Sequence, residues 1–175
     1  YKEYADMTEK VMKQYKKNII LSMAELEFYP SPIDYKLVYH EMKAKLTELM
    51  DKNNILNDQK IINISSIWGM NGYHTASHYC AAKAALLGAT KAWAKEFAGD
   101  NIHVNAVAPG GVLTPMPIKV QGMGKIREKE KKVPLGRWAK PEEISYTVAF
   151  LASPESDFIT GQVISPNGGE TIVGY

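Results

Sequence analysis

Glycine is missing from the first 68 residues of this 175-residue chain; all 13 glycines follow, beginning with Gly69. Before that point there can be no glycine-rich loop to bring backbone N–H groups against a phosphate. Cysteine is nearly absent. Cys80 alone cannot form an internal disulfide, which suits a reducing compartment and makes the cytoplasm the expected location. Set among alanines, Cys80 reads as a small packing residue, not as a nucleophile. No apolar run reaches the ~18 residues of a membrane span. A net charge of +2 is too small to argue for nucleic acid or an anionic membrane. His40, His74, His78 and His103 lack metal-ligand spacing with cysteine or carboxylate partners. His74 and His78 are four apart, but two histidines supply too few ligands, so no metal is expected. Tyr1-Lys2-Glu3-Tyr4 has the features of neither a signal nor a transit peptide, and without an initiator methionine it suits a fragment or a trimmed chain.

What is present divides at residue 60. Residues 1–60 hold ten lysines, ten acidic residues and six of the 10 tyrosines, a helix-rich composition with few turns. Helices are expected over 3–17 and 33–53, the latter with Ile33, Leu37, Met42, Leu46 and Leu49 along one face. Asn18 to Ala24 is either a short buried strand or a continuation of the first helix; so short a run leaves both open. Residues 61–175 alternate. Strands are expected at 61–65, 102–106 and 161–165, and helices at 77–98 and from Pro141 to Ala152. Thr114 to Lys132, with Gly122 and Gly124 among lysines, reads as a mobile segment. Strands alternating with helices imply βαβ units. The fold class is therefore α/β: an incomplete Rossmann-like parallel sheet flanked by helices, in one domain.

Ligands of such sheets bind beyond the carboxyl ends of the strands, where Ser66 and Pro109-Gly110 fall. Tyr79 and Lys83 are four apart on the expected helix, so phenol and ammonium share one face. A free tyrosine titrates near ~10, too high for easy proton exchange at neutral pH. A neighbouring ammonium favours the phenolate. Such a tyrosine can protonate a carbonyl oxygen during reduction, or deprotonate an alcohol during oxidation. Ser66, thirteen residues earlier, could hold the same oxygen. Trp68 follows the serine and is expected to line the pocket, whereas Trp93 reads as core. His74 or His78 could stand at the pocket mouth. The charge run Lys125 to Lys132 is either a solvated face or an attraction for anionic substrates such as acyl thioesters.

Five ordered stretches resemble the short-chain dehydrogenase/reductase family, covering residues 60 to about 172. They are Asn63-Ile64-Ser65-Ser66; Tyr79-Cys80-Ala81-Ala82-Lys83; Val104 to Gly110 with Val112, Thr114 and Met116; Pro134 to Trp138 followed by Pro141-Glu142-Glu143-Ile144; and Ser156 to Ile164 with Asn167-Gly168-Gly169. The resemblance implies hydride transfer between NAD or NADP and a carbonyl or secondary alcohol. It implies that Tyr79 is the general acid/base, that Lys83 lowers its pKa and binds the nicotinamide ribose, and that Ser66 orients the substrate carbonyl. Pro109 and Gly110 would shape the turn under the nicotinamide, Val112 and Thr114 would hold its carboxamide, and Thr114 to Lys132 would be the substrate lid.

The family also begins with a glycine-rich turn against the cofactor pyrophosphate, and this sequence has none. The residue that selects NAD or NADP cannot be placed. Residues 1–60 resemble the family's third helix, fourth strand (Asn18 to Leu21) and fourth helix; an unrelated helical hairpin is the alternative. The fourth helix usually carries an active-site asparagine, for which Asp34 is the nearest candidate. On this alignment strands one to three are lacking, strand four becomes an edge, and association with a second copy is expected. A non-catalytic binding or oligomerisation module without cofactor is the alternative to an enzyme.

Overall fold

The computed structural model describes residues 19–22 and 59–173. Strands β1 (Ile19–Ser22), β2 (Gln59–Ile64), β3 (Ile102–Val107) and β4 (Val163–Ile164) form one parallel sheet in the order β1-β2-β3-β4. Ile20 pairs with Ile61, Ile61 with Val104, and Ala106 with Val163. The stretch left open at 18–24 thus contains a strand. The helices expected at 3–17 and 33–53, with Asp34, lie outside the described residues.

Four helices accompany the sheet: α1 (Trp68–Asn71), α2 (Ser77–Glu96), α3 (Pro115–Glu130) and α4 (Pro141–Ala152). Successive residues of a strand face opposite ways, which lets β2 build two cores at once. Ile61 packs with Val104, Ile102, Trp93 and Ala94 on the α2 side. Ile62 packs with Val107, Ile144, Val148 and Leu151 on the α4 side. Each such side chain, once fully buried, stabilises the fold by roughly 1.5–3 kcal/mol. Both faces being covered explains why β2 carries the adjacent apolar pair Ile61-Ile62 and β3 the pair Ala106-Val107.

Several polar side chains between the layers are paired, although Asn63 Oδ1 and Trp93 Nε1 are buried without a hydrogen-bond partner among the described residues. Asn63 Nδ2 donates to Thr90 Oγ1 at 2.8 Å, on the α2 side. Asn105 Nδ2 donates to the Ile159 carbonyl at 2.8 Å. Lys60, at the amino end of β2, is buried; its ammonium reaches the Ser153 carbonyl at 3.0 Å, Ser156 Oγ at 2.8 Å and Asp157 at 2.6 Å. It ties the strand to the segment leaving α4.

Thr114 to Lys132, expected to be mobile, is mainly helix α3, interrupted at Gly122 (φ 76°, ψ 151°). After Ser66 the chain forms the short helix α1. One expectation needs correction. The last strand is only Val163–Ile164, although Gly161 N–H still donates to the Val104 carbonyl at 2.7 Å.

Helix α4 starts where proline and acids suggest. Pro141 occupies its first turn, and Glu143 accepts from the Lys140 N–H at 2.8 Å. Arg137 grips the same carboxylate with two bonds of 2.7 and 2.6 Å. This pair and the Lys140 N–H hold the Glu143 carboxyl at about 2, well below its ordinary value.

Candidate active site

A cavity of about 490 Å³ opens at the carboxyl ends of β2 and β3. Ser66, Tyr79, Lys83, Pro109, Gly110, Val112 and Thr114 all line it. The β2–β3 ladder continues past the strands: Ser65 N–H donates to the Val107 carbonyl at 2.7 Å, and Ile67 N–H to the Pro109 carbonyl at 3.1 Å. That continuation fixes Ser66 opposite the turn that begins at Pro109.

Ser66 is nearly buried, and its hydroxyl oxygen accepts from the Trp68 N–H at 3.2 Å. With an acceptor position so used, the hydroxyl proton can point to a substrate oxygen. The neighbouring serine has a different task. Ser65 Oγ donates to the Lys83 carbonyl at 2.8 Å, stitching α2 to the end of β2. Lys83 Nζ donates to the Ile64 carbonyl at 3.0 Å and lies 5.7 Å from the centroid of the Tyr79 ring. The ammonium is thus held by backbone on the same helix face as the phenol. Helix α1 crosses α2 at Gly69, where a Cβ would stand 2.7 Å from the Lys83 carbonyl carbon. Only glycine admits this approach.

The turn after β3 is held from the last strand. Gly110 N–H donates to the Pro166 carbonyl at 3.2 Å, and Ser165 Oγ to the Ala108 carbonyl at 2.7 Å. Val112 bridges Ala139, and Thr114 stands extended just before α3. The wall near the tyrosine is aromatic. Trp68 stacks on Tyr73 at 4.0 Å and meets Tyr79 edge-on at 5.7 Å. Ile64, Ile67, Met116, Pro117, Trp138, Ile144 and Val148 make the rest largely apolar. Lys129, Lys132 and Glu170 add charge, with Lys83 leaving an excess of cations.

Sequence reasoning missed Ser65, Tyr73 and Glu170 as cavity residues, while Gln121, Lys129 and Lys132 fall in the segment expected to be the substrate lid. The first three carry no spacing signal; tertiary packing alone collects them. Trp68 lines the cavity and Trp93 is core, as expected. His74 and His78 do not line it. Among the described residues no three His, Cys, Asp or Glu side chains gather as a metal site, and no helix is long and apolar enough to cross a membrane.

The parallel sheet flanked by helices agrees with comparisons to known proteins. A family model described as enoyl-(acyl carrier protein) reductase matches residues 33–171. The chain belongs to the short-chain dehydrogenase/reductase family. It is similar to a 3-oxoacyl-(acyl-carrier-protein) reductase of Thermotoga maritima, with 50% identity over 113 residues, covering 64% of this chain and 45% of the relative. Similarity to the Chlamydia muridarum enzyme of the same name is 39% over 156 residues, covering 87% of this chain and 60% of that protein. Among solved structures, a short-chain dehydrogenase/reductase of Brucella melitensis superimposes with a TM-score of 0.70 at 27% identity, covering 97% of this chain and 73% of the other. Aldohexose dehydrogenase of Thermoplasma acidophilum gives a TM-score of 0.70 at 27% identity, covering 98% of this chain and 74% of the other. This chain spans about half the length of such curated relatives.

Pro109, Gly110, Val112 and Thr114 line the cavity where the resemblance puts a nicotinamide. A Cβ on Gly110 would meet Asn167 at 2.9 Å, so glycine lets this turn pack closely on the segment after β4. The pyrophosphate end has no counterpart among the described residues, which hold no glycine before Gly69.

Proposed function

We propose that this chain is the catalytic part of an oxidoreductase moving hydride between NAD(P)(H) and a carbonyl or secondary alcohol. The observation that carries the proposal is the convergence of Ser66, Tyr79 and Lys83 on one cavity at the ends of β2 and β3. The nicotinamide, when bound, supplies or receives the hydride. Tyr79 gives its phenolic proton to the carbonyl oxygen in the reductive direction and recovers it in the oxidative one. Lys83 favours the phenolate by its charge and offers N–H donors to the ribose. Ser66 donates to the carbonyl oxygen and fixes its position. Pro109 and Gly110 shape the nicotinamide floor, and Val112 and Thr114 bind the carboxamide. Helix α3 serves as the substrate lid.

The substrate class we favour is a 3-oxoacyl thioester. Two features support it: the relatives above are named as reductases of such groups, and the cavity joins an apolar lining to Lys129 and Lys132. We further propose a cytoplasmic location and pairing with a second copy; β1 has β2 as its one neighbour among the described strands. Replacing Tyr79 by Phe tests the mechanism. The expected result is at least a hundredfold loss of turnover, within the ~10²–10⁴ range of acid–base catalysis, with nucleotide affinity unchanged. Turnover retained in Tyr79→Phe would reject the role given to that residue.

A further inference from the structure

Helix α3 is two pieces. Gly122, at φ 76° and ψ 151°, sits in a conformation closed to other residues and breaks the helix after Gln121. The second piece is anchored through Ile126, fully buried against Val133 and Trp138. The first piece, Pro115 to Gln121, buries only Pro117. Met116 is 62% exposed and Val120 74% exposed, and Thr114 provides no side-chain cap. Yet Met116, Pro117 and Gln121 line the cavity. Sparse apolar burial makes a segment prone to open locally.

One side chain ties this piece down. Lys129, on the anchored piece, donates to Gln121 Oε1 at 2.6 Å across the break. The same ammonium lies 5.7 Å from the centroid of the Tyr73 ring, within cation–π range. Tyr73 in turn stacks on Trp68, whose ring meets Tyr79. We propose that Lys129 and Tyr73 form a clasp that holds the first piece of α3 over the cavity and seats the substrate against the Trp68–Tyr73 wall. Both are positioning residues. This inference rests on reading the cavity as the substrate site.

Four variants test it: Lys129→Gln and Tyr73→Leu break the clasp, while Lys129→Arg and Tyr73→Phe keep a cation and a ring. Amide hydrogen exchange over residues 115–121 is the first readout and needs no turnover. Exchange there should rise about fivefold in Lys129→Gln and Tyr73→Leu, and stay near wild type in the conservative pair. The second readout is kinetic: KM for substrate should rise by a similar factor in Lys129→Gln and Tyr73→Leu and stay near wild type in Lys129→Arg and Tyr73→Phe. Equal exchange in all four variants, or conservative variants that exchange as fast as the disruptive ones, overturns the clasp. Lys129→Gln alters a side chain outside the buried core, so it keeps the test valid if Tyr73→Leu fails to fold. A wild type without turnover refutes the oxidoreductase reading, and the exchange data then still decide the clasp.

Discussion

Gly69 offers the sharpest perturbation of the site short of changing a site residue. An alanine there would put its Cβ 2.7 Å from the Lys83 carbonyl carbon and 2.9 Å from both the carbonyl oxygen and Lys83 Cβ. Two of those three atoms are backbone, so no rotamer change relieves the contact. Ordinary van der Waals contact begins near 3.4 Å, so α1 and α2 must part by roughly 0.7 Å. Overpacking of this kind costs about 1–3 kcal/mol. The displacement falls on the residue whose carbonyl Ser65 binds and whose ammonium stands beside Tyr79. A misplacement near 1 Å can lower a rate about a hundredfold. Gly69→Ala should therefore lower stability by about 1–3 kcal/mol in urea unfolding. It should cut kcat by about ten- to a hundredfold, with the secondary structure retained by circular dichroism. Unchanged stability together with unchanged kcat would refute the argument that this crossing sets the Tyr79–Lys83 geometry.

Further outcomes are expected away from the cavity. Lys60→Met removes a buried ammonium from the Ser153 carbonyl, Ser156 and Asp157. Half-exposure of Asp157 reduces the penalty, and a loss of about 2–3 kcal/mol is expected in urea unfolding; a loss below 1 kcal/mol would contradict the tie between β2 and α4. Glu143, held at about 2 by Arg137 and the Lys140 N–H, should titrate by NMR with a midpoint near that value. Because its pKa is depressed in the folded state, its contribution is fully present above the ordinary value of 4.5 and is lost as pH falls through about 2. Glu143→Gln should flatten that part of the acid-unfolding curve, and an unaltered curve would contradict the assignment.

How much of this was legible depends on what each segment uses to hold its shape. Strands β2 and β3 are buried on both faces, so their Ile- and Val-rich runs announced them. Helix α4 carried its own start signal in Pro141 and the acids that follow. Helix α3 was not legible because Gly122 and Gly124 suggest loop; Ile126 rescues the helix by a contact with Val133 and Trp138 that periodicity cannot show. Lys60 broke the rule that lysines are exposed, since its three partners come from 93 or more residues away. At the cavity, Ser66, Tyr79 and Lys83 were legible because their chemistry demands fixed residue types at fixed spacing. Ser65 and Tyr73 were not, because a serine or tyrosine carries no signal until the fold brings it to one wall, and Lys129 was legible only as one member of the charge run Lys125 to Lys132.

Titration of the purified chain with NADPH and NADH, followed by nicotinamide fluorescence, tests the central claim most directly. The account predicts saturable binding of at least one of the two, competed by the oxidised form, through the turn at Pro109 and Gly110 and the face of Tyr79 and Lys83. No binding at millimolar nucleotide would contradict it, leaving Ser66, Tyr79 and Lys83 in a cavity that does no hydride chemistry in this chain.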